Sequence, residues 1–323
     1  MASLKEIKTR IGSVQNTRKI TSAMKMVASS KLHHAQVMIT NMLPYENMLE
    51  SILKTFLAAD VDARGVITEE REVKKVALLV FSSNSSLCGG FNSNIIKRMI
   101  HQVEEYRAKG IEVEVYPIGR KVYEKTVKLK YPVCGNFNAL ADKPNAGECT
   151  RIGEELAQKY VAGEIDRVEL VYHHFKSAGS QILTVKRLYP IDIEEAMNYD
   201  HTRDLEHQYV TEDAANYLEK QGGHHALQGT SSNSQAKKLN DNFIVEPDME
   251  TILYTLIPRY VNLMIYTALL DSNASEHAAR MVAMQTATDN ADELLHDLNL
   301  QYNKGRQQSI TNELLDMQGG TAQ

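Results

Sequence analysis

The sequence predicts an α/β protein in which two long terminal helices of coiled-coil type flank a small central domain. Two observations lead to this fold class. Apolar residues recur every three or four positions over long stretches at both ends of the chain. Between these stretches, short segments rich in β-branched and aromatic residues alternate with helical patterns.

The first long helix is predicted over residues 1–60. Its apolar positions step by three and four in turn, which is the seam of a coiled coil. The seam residues are Ala35, Met38, Met42, Tyr45, Leu49, Ile52 and Phe56, and Leu4, Ile7, Ile11 and Val14 extend the pattern backwards. The result is a helix of roughly 55 residues and about 80 Å. Pro44 is expected to bend it or to loosen it locally.

The second long helix is predicted over residues 248–317, with a length of about 100 Å. One unbroken register contains Leu253, Leu256, Tyr260, Leu263, Thr267, Leu270, Ala274, His277, Met281, Met284, Thr288, Ala291, Leu295, Leu298 and Tyr302. Because the helix is longer than a small domain is wide, part of it must protrude. Many seam positions are small or polar, which favours a shaft wrapped by other chains.

The central domain is predicted over residues 70–195. Strands are expected at Val73–Ser82, Glu112–Ile118, Val168–Phe175 and Ile182–Leu188, and helices at Asn94–Lys109 and Glu148–Ala162. Alternating strands and helices imply right-handed crossovers and a largely parallel, Rossmann-like sheet. The last strand is expected to form a hairpin with the strand before it.

An extended mobile loop is predicted over residues 196–245. The segment is rich in Gly, Ser and Asn around one predicted helix at Glu212–Lys220. It could act as a brake or contact another subunit. A tolerated surface insertion is the default, since a longer loop costs little entropy.

Composition predicts an intracellular protein without a membrane span of its own. The 323 residues carry a formal net charge of -5, and no apolar run approaches the roughly 20 residues that cross a bilayer. The three cysteines form no CxxC pair and leave an odd thiol, which is typical of a reducing compartment. The first residues lack the apolar stretch of a signal peptide.

No catalytic, cofactor-binding or metal site is predicted. The turn at residues 82–92 lies where a doubly wound fold would bind phosphate, but it matches neither GxGxxG nor GxxxxGK[ST]. A tight turn at Gly89 and Gly90 is the favoured interpretation, and Cys88 is expected to be a small buried thiol rather than a nucleophile. The paired histidines at residues 33–34, 173–174 and 224–225 should diverge, which argues against metal binding.

The first 40 residues are basic. Their charged residues are Lys5, Glu6, Lys8, Arg10, Arg18, Lys19, Lys25 and Lys31. Such a cluster could bind nucleic acid, but no Phe, Tyr or Trp accompanies it. We therefore predict no nucleic-acid binding, and expect these cations either to meet an acidic protein surface or to be solvated.

Three segments resemble the gamma subunit family of the rotary F-type ATP synthase. They are residues 10–28 (RIGSVQNTRKITSAMKMVA), residues 275–291 with 300–314 (SEHAARMVAMQTATDNA and LQYNKGRQQSITNEL), and residues 87–92 (LCGGFN). Residues 84–86, Asn-Ser-Ser, depart from the family, which has an Asp, a basic residue and Gly there.

The resemblance implies a rotor. In this family the terminal helices pair as an antiparallel coiled coil inside a ring of three alpha and three beta subunits, and the central domain sits with epsilon on the membrane c-ring. Proton-driven rotation of the c-ring is coupled to ATP synthesis or hydrolysis on the ring, while the shaft itself is not catalytic. The implied location is the cytoplasmic face of the bacterial inner membrane, as a peripheral protein.

The resemblance also implies residues that contact the catalytic ring. Met24 and Lys25 should lie near acidic levers of beta, where a cation gives electrostatic register. On the last helix the matching family positions are Arg280, Gln307, Thr311 and Glu313.

Other interpretations differ in what they leave unexplained. A free-standing coiled-coil scaffold or adaptor would account for the heptads but not for the three matched segments, and a nucleotide-dependent enzyme would lack its motif.

The predicted loop contains no cysteine, which excludes the thiol regulation known from chloroplast relatives. A bacterial chain is favoured over an unprocessed organellar one, because the family pattern starts within the first ten residues. A mature organellar chain is the open alternative.

Overall fold

The computed structural model describes residues 4–59, 71–191, 246 and 249–320. The helices are α1 (Leu4–Ala59), α2 (Phe91–Ala108), α3 (Arg120–Lys128), α4 (Asn138–Asp142), α5 (Ala146–Val161) and α6 (Met249–Gly320), and the strands are β1 (Lys75–Phe81), β2 (Glu112–Ile118), β3 (Arg167–Ser177) and β4 (Ser180–Tyr189). The predicted loop at 196–245 lies outside the described residues. Within the described part, no helix is both long enough and apolar enough to cross a bilayer.

The four strands form one sheet in the order β2-β1-β3-β4. β1 pairs in parallel with both β2 and β3, and β3 pairs antiparallel with β4. The central strand is buried on both faces, with Val76 to Phe81 at most 1% exposed, as expected for a sheet covered by helices on each side. The predicted parallel sheet and its final hairpin are confirmed.

Alternate residues of β1 enter two different cores, because side chains of a strand point to opposite faces. Val76, Leu78 and Val80 pack with α2 and α3 on one face. Leu79 and Phe81 pack with α5 and with both terminal helices on the other. The long helices therefore share a core with the central domain.

The terminal helices run antiparallel in one register. Thr21 of α1 contacts Thr288 of α6, and Leu4 lies against Gly305. The two contacts are 17 residues apart on each helix, so the register does not slip between them. The predicted antiparallel pair of long helices is confirmed, with 56 residues in α1 and 72 in α6.

Two sequence predictions are corrected by the structure. Tyr45, assigned to the α1 seam, is 50% exposed, whereas Glu46 is buried. The face that α1 buries therefore differs from the predicted seam at this point. A search for apolar positions misses it, because the buried residue is polar. Helices α3 and α4 were not predicted, since nine and five residues are too short to show a reliable helical period.

Candidate functional site

The free end of the helix pair is narrow and closely packed. The Oγ1 atoms of Thr21 and Thr288 are 2.8 Å apart, and Arg18 forms an ion pair with Asp292 in which both side chains are about half exposed. A Cβ added to Gly305 would lie 3.1 Å from Leu4 Cδ2. Small and polar contacts thus bring the two backbones together, as the predicted seam indicated.

Where the helix pair meets the central domain, the contact is apolar and dense. Leu32, Ala35 and Ile39 of α1 form one cluster with Phe175 of β3. The cluster also contains three buried residues of α6, namely Leu270, Ala274 and Ala278. The small side chains of Ala274 and Ala278 allow close approach of the helices.

The residues predicted to contact the catalytic ring do not form one cluster. Met24 and Lys25 are partly buried on α1, whereas Gln307, Thr311 and Glu313 are exposed near the end of α6. Thr311 Oγ1 donates to the Gln307 carbonyl at 2.9 Å, a bond within the helix. With Thr21 opposite Thr288, the two groups lie about 40 Å apart along the helix pair.

Arg280 differs from the other predicted residues, because it is buried, with only 9% of the residue exposed. Its Nη2 is 2.8 Å from Glu276 Oε1 and donates to Ser85 Oγ at 2.7 Å. Its Nη1 is 3.4 Å from His277 Nδ1. In this chain Arg280 therefore links α6 to the turn that follows β1.

Burial and the Arg280 charge set the electrostatics around this link. Burial raises the pKa of Glu276, and the Arg280 charge opposes that rise. Burial, together with the charges of Arg280 and Lys31, lowers the pKa of His277 to about 3. His277 is therefore neutral at physiological pH, while Arg280 carries the positive charge.

The turn after β1 is held by its own side chains. Asn92 Nδ2 donates to Ser83 Oγ at 2.8 Å and contacts Cys88 Sγ at 3.1 Å. Asn84, at the departure from the family pattern, donates to the Asn138 carbonyl and accepts from the Arg120 N–H, both at 2.8 Å. The turn is thus tied to the starts of α3 and α4. Cys88 is a buried thiol and Gly89 and Gly90 form a turn, both as predicted.

Polar residues of α6 that sequence reasoning did not single out bind the central domain. His174 Nδ1 on β3 is 2.7 Å from Asp271 Oδ2, and both side chains are at most 5% exposed. Asn273 Nδ2 donates to the Ala141 carbonyl at 2.9 Å, and Ser275 Oγ donates to the His173 carbonyl at 3.1 Å. No sequence signal marks Asp271, Asn273 or Ser275, because each of the three contacts joins segments that are far apart in sequence.

The histidine pairs diverge where they are described. His33 is buried and His34 is exposed. His173 stacks on Phe91 at 4.5 Å, while its neighbour His174 turns to α6. Burial lowers the pKa of His173 to about 4. Among the described residues, no group of three His, Cys, Asp or Glu side chains could hold a metal ion; His224 and His225 lie outside them.

Comparison with known proteins places this architecture in one family. The sequence matches the family model described as ATP synthase over residues 3–322. It is 48% identical to the ATP synthase gamma chain of Bacteroides thetaiotaomicron, with 100% of each chain covered. It is 39% identical to the ATP synthase gamma chain of Flavobacterium johnsoniae, covering 99% of this chain and 98% of the relative.

Solved structures share the fold at lower identity. One is the central stalk and c-ring of the Tetrahymena thermophila mitochondrial ATP synthase, with a TM-score of 0.54, 24% identity and 83% of this chain and 99% of that chain covered. Another is the rotor of the Euglena gracilis mitochondrial ATP synthase, with a TM-score of 0.53, 19% identity and coverage of 95% and 98%. The full-length match to the bacterial relatives identifies the sequence family, and the chain belongs to the ATP synthase gamma chain family.

Proposed function

We propose that this chain is the central rotor shaft of an F-type ATP synthase, which couples rotation of a proton-driven c-ring to ATP synthesis or hydrolysis. The observation that carries the proposal is the pair of terminal helices, which keeps one antiparallel register and shares its base with the core of the central domain. A long stiff element fixed to a compact domain suits the transmission of torque.

The partners follow from family membership. One structural neighbour is a central stalk with its c-ring, and another is a rotor. For this chain we infer three alpha and three beta subunits around the helix pair, and epsilon and the c-ring at the central domain. The protein would then be peripheral, at the cytoplasmic face of the bacterial inner membrane.

The chain itself would be non-catalytic. A shaft made of two unlike helices presents a different face to each surrounding beta subunit. Its rotation would favour a different conformation at each catalytic site in turn, because a partner stabilises the state to which it binds more tightly. The thiols of the partly buried Cys134 and the buried Cys149 fit this role. Burial raises the pKa of both and so disfavours a reactive thiolate.

Five of the six residues inferred from the family are available at the surface of the helix pair. Lys25, beside Met24, would attract acidic groups of the beta subunits and so favour certain rotational positions. Gln307, Thr311 and Glu313 would form hydrogen bonds to the ring that break once in each rotational step. Arg280 would act differently, by holding the turn after β1 against α6. We propose four functional segments: 1–60 and 248–317 as shaft, 70–195 as the base, and 196–245 as an extended insertion.

Native mass spectrometry of the tagged chain, purified in mild detergent from its own cells, tests the proposal. We expect three alpha and three beta subunits per copy, with ATPase activity in the same fraction. A chain that runs alone or as a small homo-oligomer, without ATPase partners, would support the alternative of a coiled-coil scaffold or adaptor.

A further inference from the structure

Two elements of the central domain, β3 and α4, hold residues 271–275 of α6. β3 contributes His174 to Asp271 and the His173 carbonyl to Ser275. α4 contributes the Ala141 carbonyl to Asn273. All of these contacts fall within five consecutive residues of α6, a length of about 7 Å.

The His174–Asp271 contact stands out among them. It joins Nδ1 and Oδ2 at 2.7 Å, with side-chain exposures of 5% and 1%. A hydrogen bond to a carboxylate is directional and roughly twice as strong as one between neutral groups. Apolar contacts such as those of Ala274 and Ala278 are non-directional, so they resist separation of the helix from the sheet better than they resist its rotation.

We propose that the His174–Asp271 pair is a torsional clamp, a positioning contact through which the central domain turns α6 and with it the shaft. This inference rests on the proposed rotor function. Torque applied to the central domain reaches α6 through β3 as well as through α4 and the shared apolar core. Within this contact, the directional His174–Asp271 pair would fix the angle of α6 about its own axis. Neither residue needs to touch the catalytic ring.

The test uses the whole ATP synthase in membrane vesicles, with Asp271→Asn and His174→Gln as variants. The matched control is Tyr106→Phe, which removes a buried hydrogen bond to Glu169 that lies wholly inside the central domain. ATP hydrolysis and ATP-driven proton pumping are measured on the same vesicles, together with the melting temperature of the complex.

We expect a several-fold fall in the ratio of pumping to hydrolysis in the two clamp variants and an unchanged ratio in Tyr106→Phe, even where all three lower the melting temperature. An unchanged ratio in the clamp variants of a correctly assembled complex would overturn the clamp and leave the rotor function intact. If wild type and Tyr106→Phe also fail to pump, the proposed function itself fails.

Discussion

At the scale of single residues, the fold depends on a few positions where the backbone leaves no room for a side chain. Gly119, between β2 and α3, has a φ of 105°, a conformation that L side chains rarely adopt. A Cβ there would lie 2.1 Å from the Ser82 carbonyl oxygen. This close approach joins the end of β1 to the start of α3.

We predict that Gly119→Ala destabilises the chain by more than about 3 kcal/mol, because backbone strain and a clash with backbone add together. Gly110→Ala is the matched control. Its φ of 74° is also positive, but nothing lies within 4 Å of the added Cβ, so only about 1 kcal/mol of backbone strain is expected. Denaturant unfolding of both variants measures the difference, and equal losses would contradict the predicted clash.

Buried neutral histidines predict a loss of stability in acid. Burial keeps the pKa of His173 near 4 and that of His277 near 3, against 6.5 in the unfolded chain. Between these values the unfolded state binds more protons, so stability falls as pH decreases from about 6.5 towards 4. Burial raises the pKa of Glu276 and Glu169, and protonation of these carboxyls gives an opposing gain.

The contribution of His277 can be isolated by comparing wild type with His277→Gln. We expect the unfolding free energy of the variant to fall less steeply between pH 6.5 and 4, by up to about 3 kcal/mol over the interval. Chemical unfolding at fixed pH steps provides the measurement. Parallel curves for the two proteins would show that His277 does not titrate on unfolding in this range.

At the scale of elements, the helix pair depends on small residues more than on surface charge. Ala278 is fully buried in the cluster that also contains Leu32. We predict that Ala278→Leu lowers the free energy of unfolding by about 1–3 kcal/mol, since the packed core has no space for the larger side chain. Arg18→Ala, which removes a half-exposed ion pair with Asp292, should cost at most about 1 kcal/mol. Thermal unfolding of the isolated chain would refute this ranking if the arginine variant melted lower.

The end of α6 supports a different prediction, about coupling. Changing Arg280, Gln307 and Thr311 together to alanine should uncouple rotation from catalysis, because the proposed contacts to the ring and the link to Ser85 are lost at once. ATP synthesis driven by a proton gradient is the measurement. ATP synthesis at the wild-type rate in an assembled complex of the triple variant would contradict the predicted uncoupling. Gln307→Ala with Thr311→Ala, leaving Arg280 in place, separates the exposed contacts from the internal link.

At the scale of the whole molecule, the sequence predicts the long-period elements well and their junction poorly. The heptad pattern of α6 extends over many turns, so errors at single positions cancel, and its described seam residues are buried or partly buried. In α1 the buried stripe includes the acidic residues Glu46 and Glu50, whereas the apolar Tyr45, which the heptad pattern selected, is exposed.

The junction could not be predicted because its contacts join distant segments. His174 and Asp271 are 97 residues apart in sequence, and Arg280 meets Ser85 across 195 residues. Family resemblance predicts that Arg280 contacts the catalytic ring, and only the folded chain reveals its internal partner, Ser85. Periodicity reports which face of an element is apolar, but it carries no information about which polar groups meet across a core.

Direct observation of rotation tests the central claim most closely. The catalytic ring is fixed to a surface, a bead is attached to the central domain at Lys109, which is exposed at the end of α2, and ATP is added. Our account predicts stepwise rotation of the bead in one direction, at a rate that follows ATP concentration. Sustained ATP hydrolysis by the same complexes with a bead that only fluctuates about one angle would contradict the assignment of this chain as the rotor shaft.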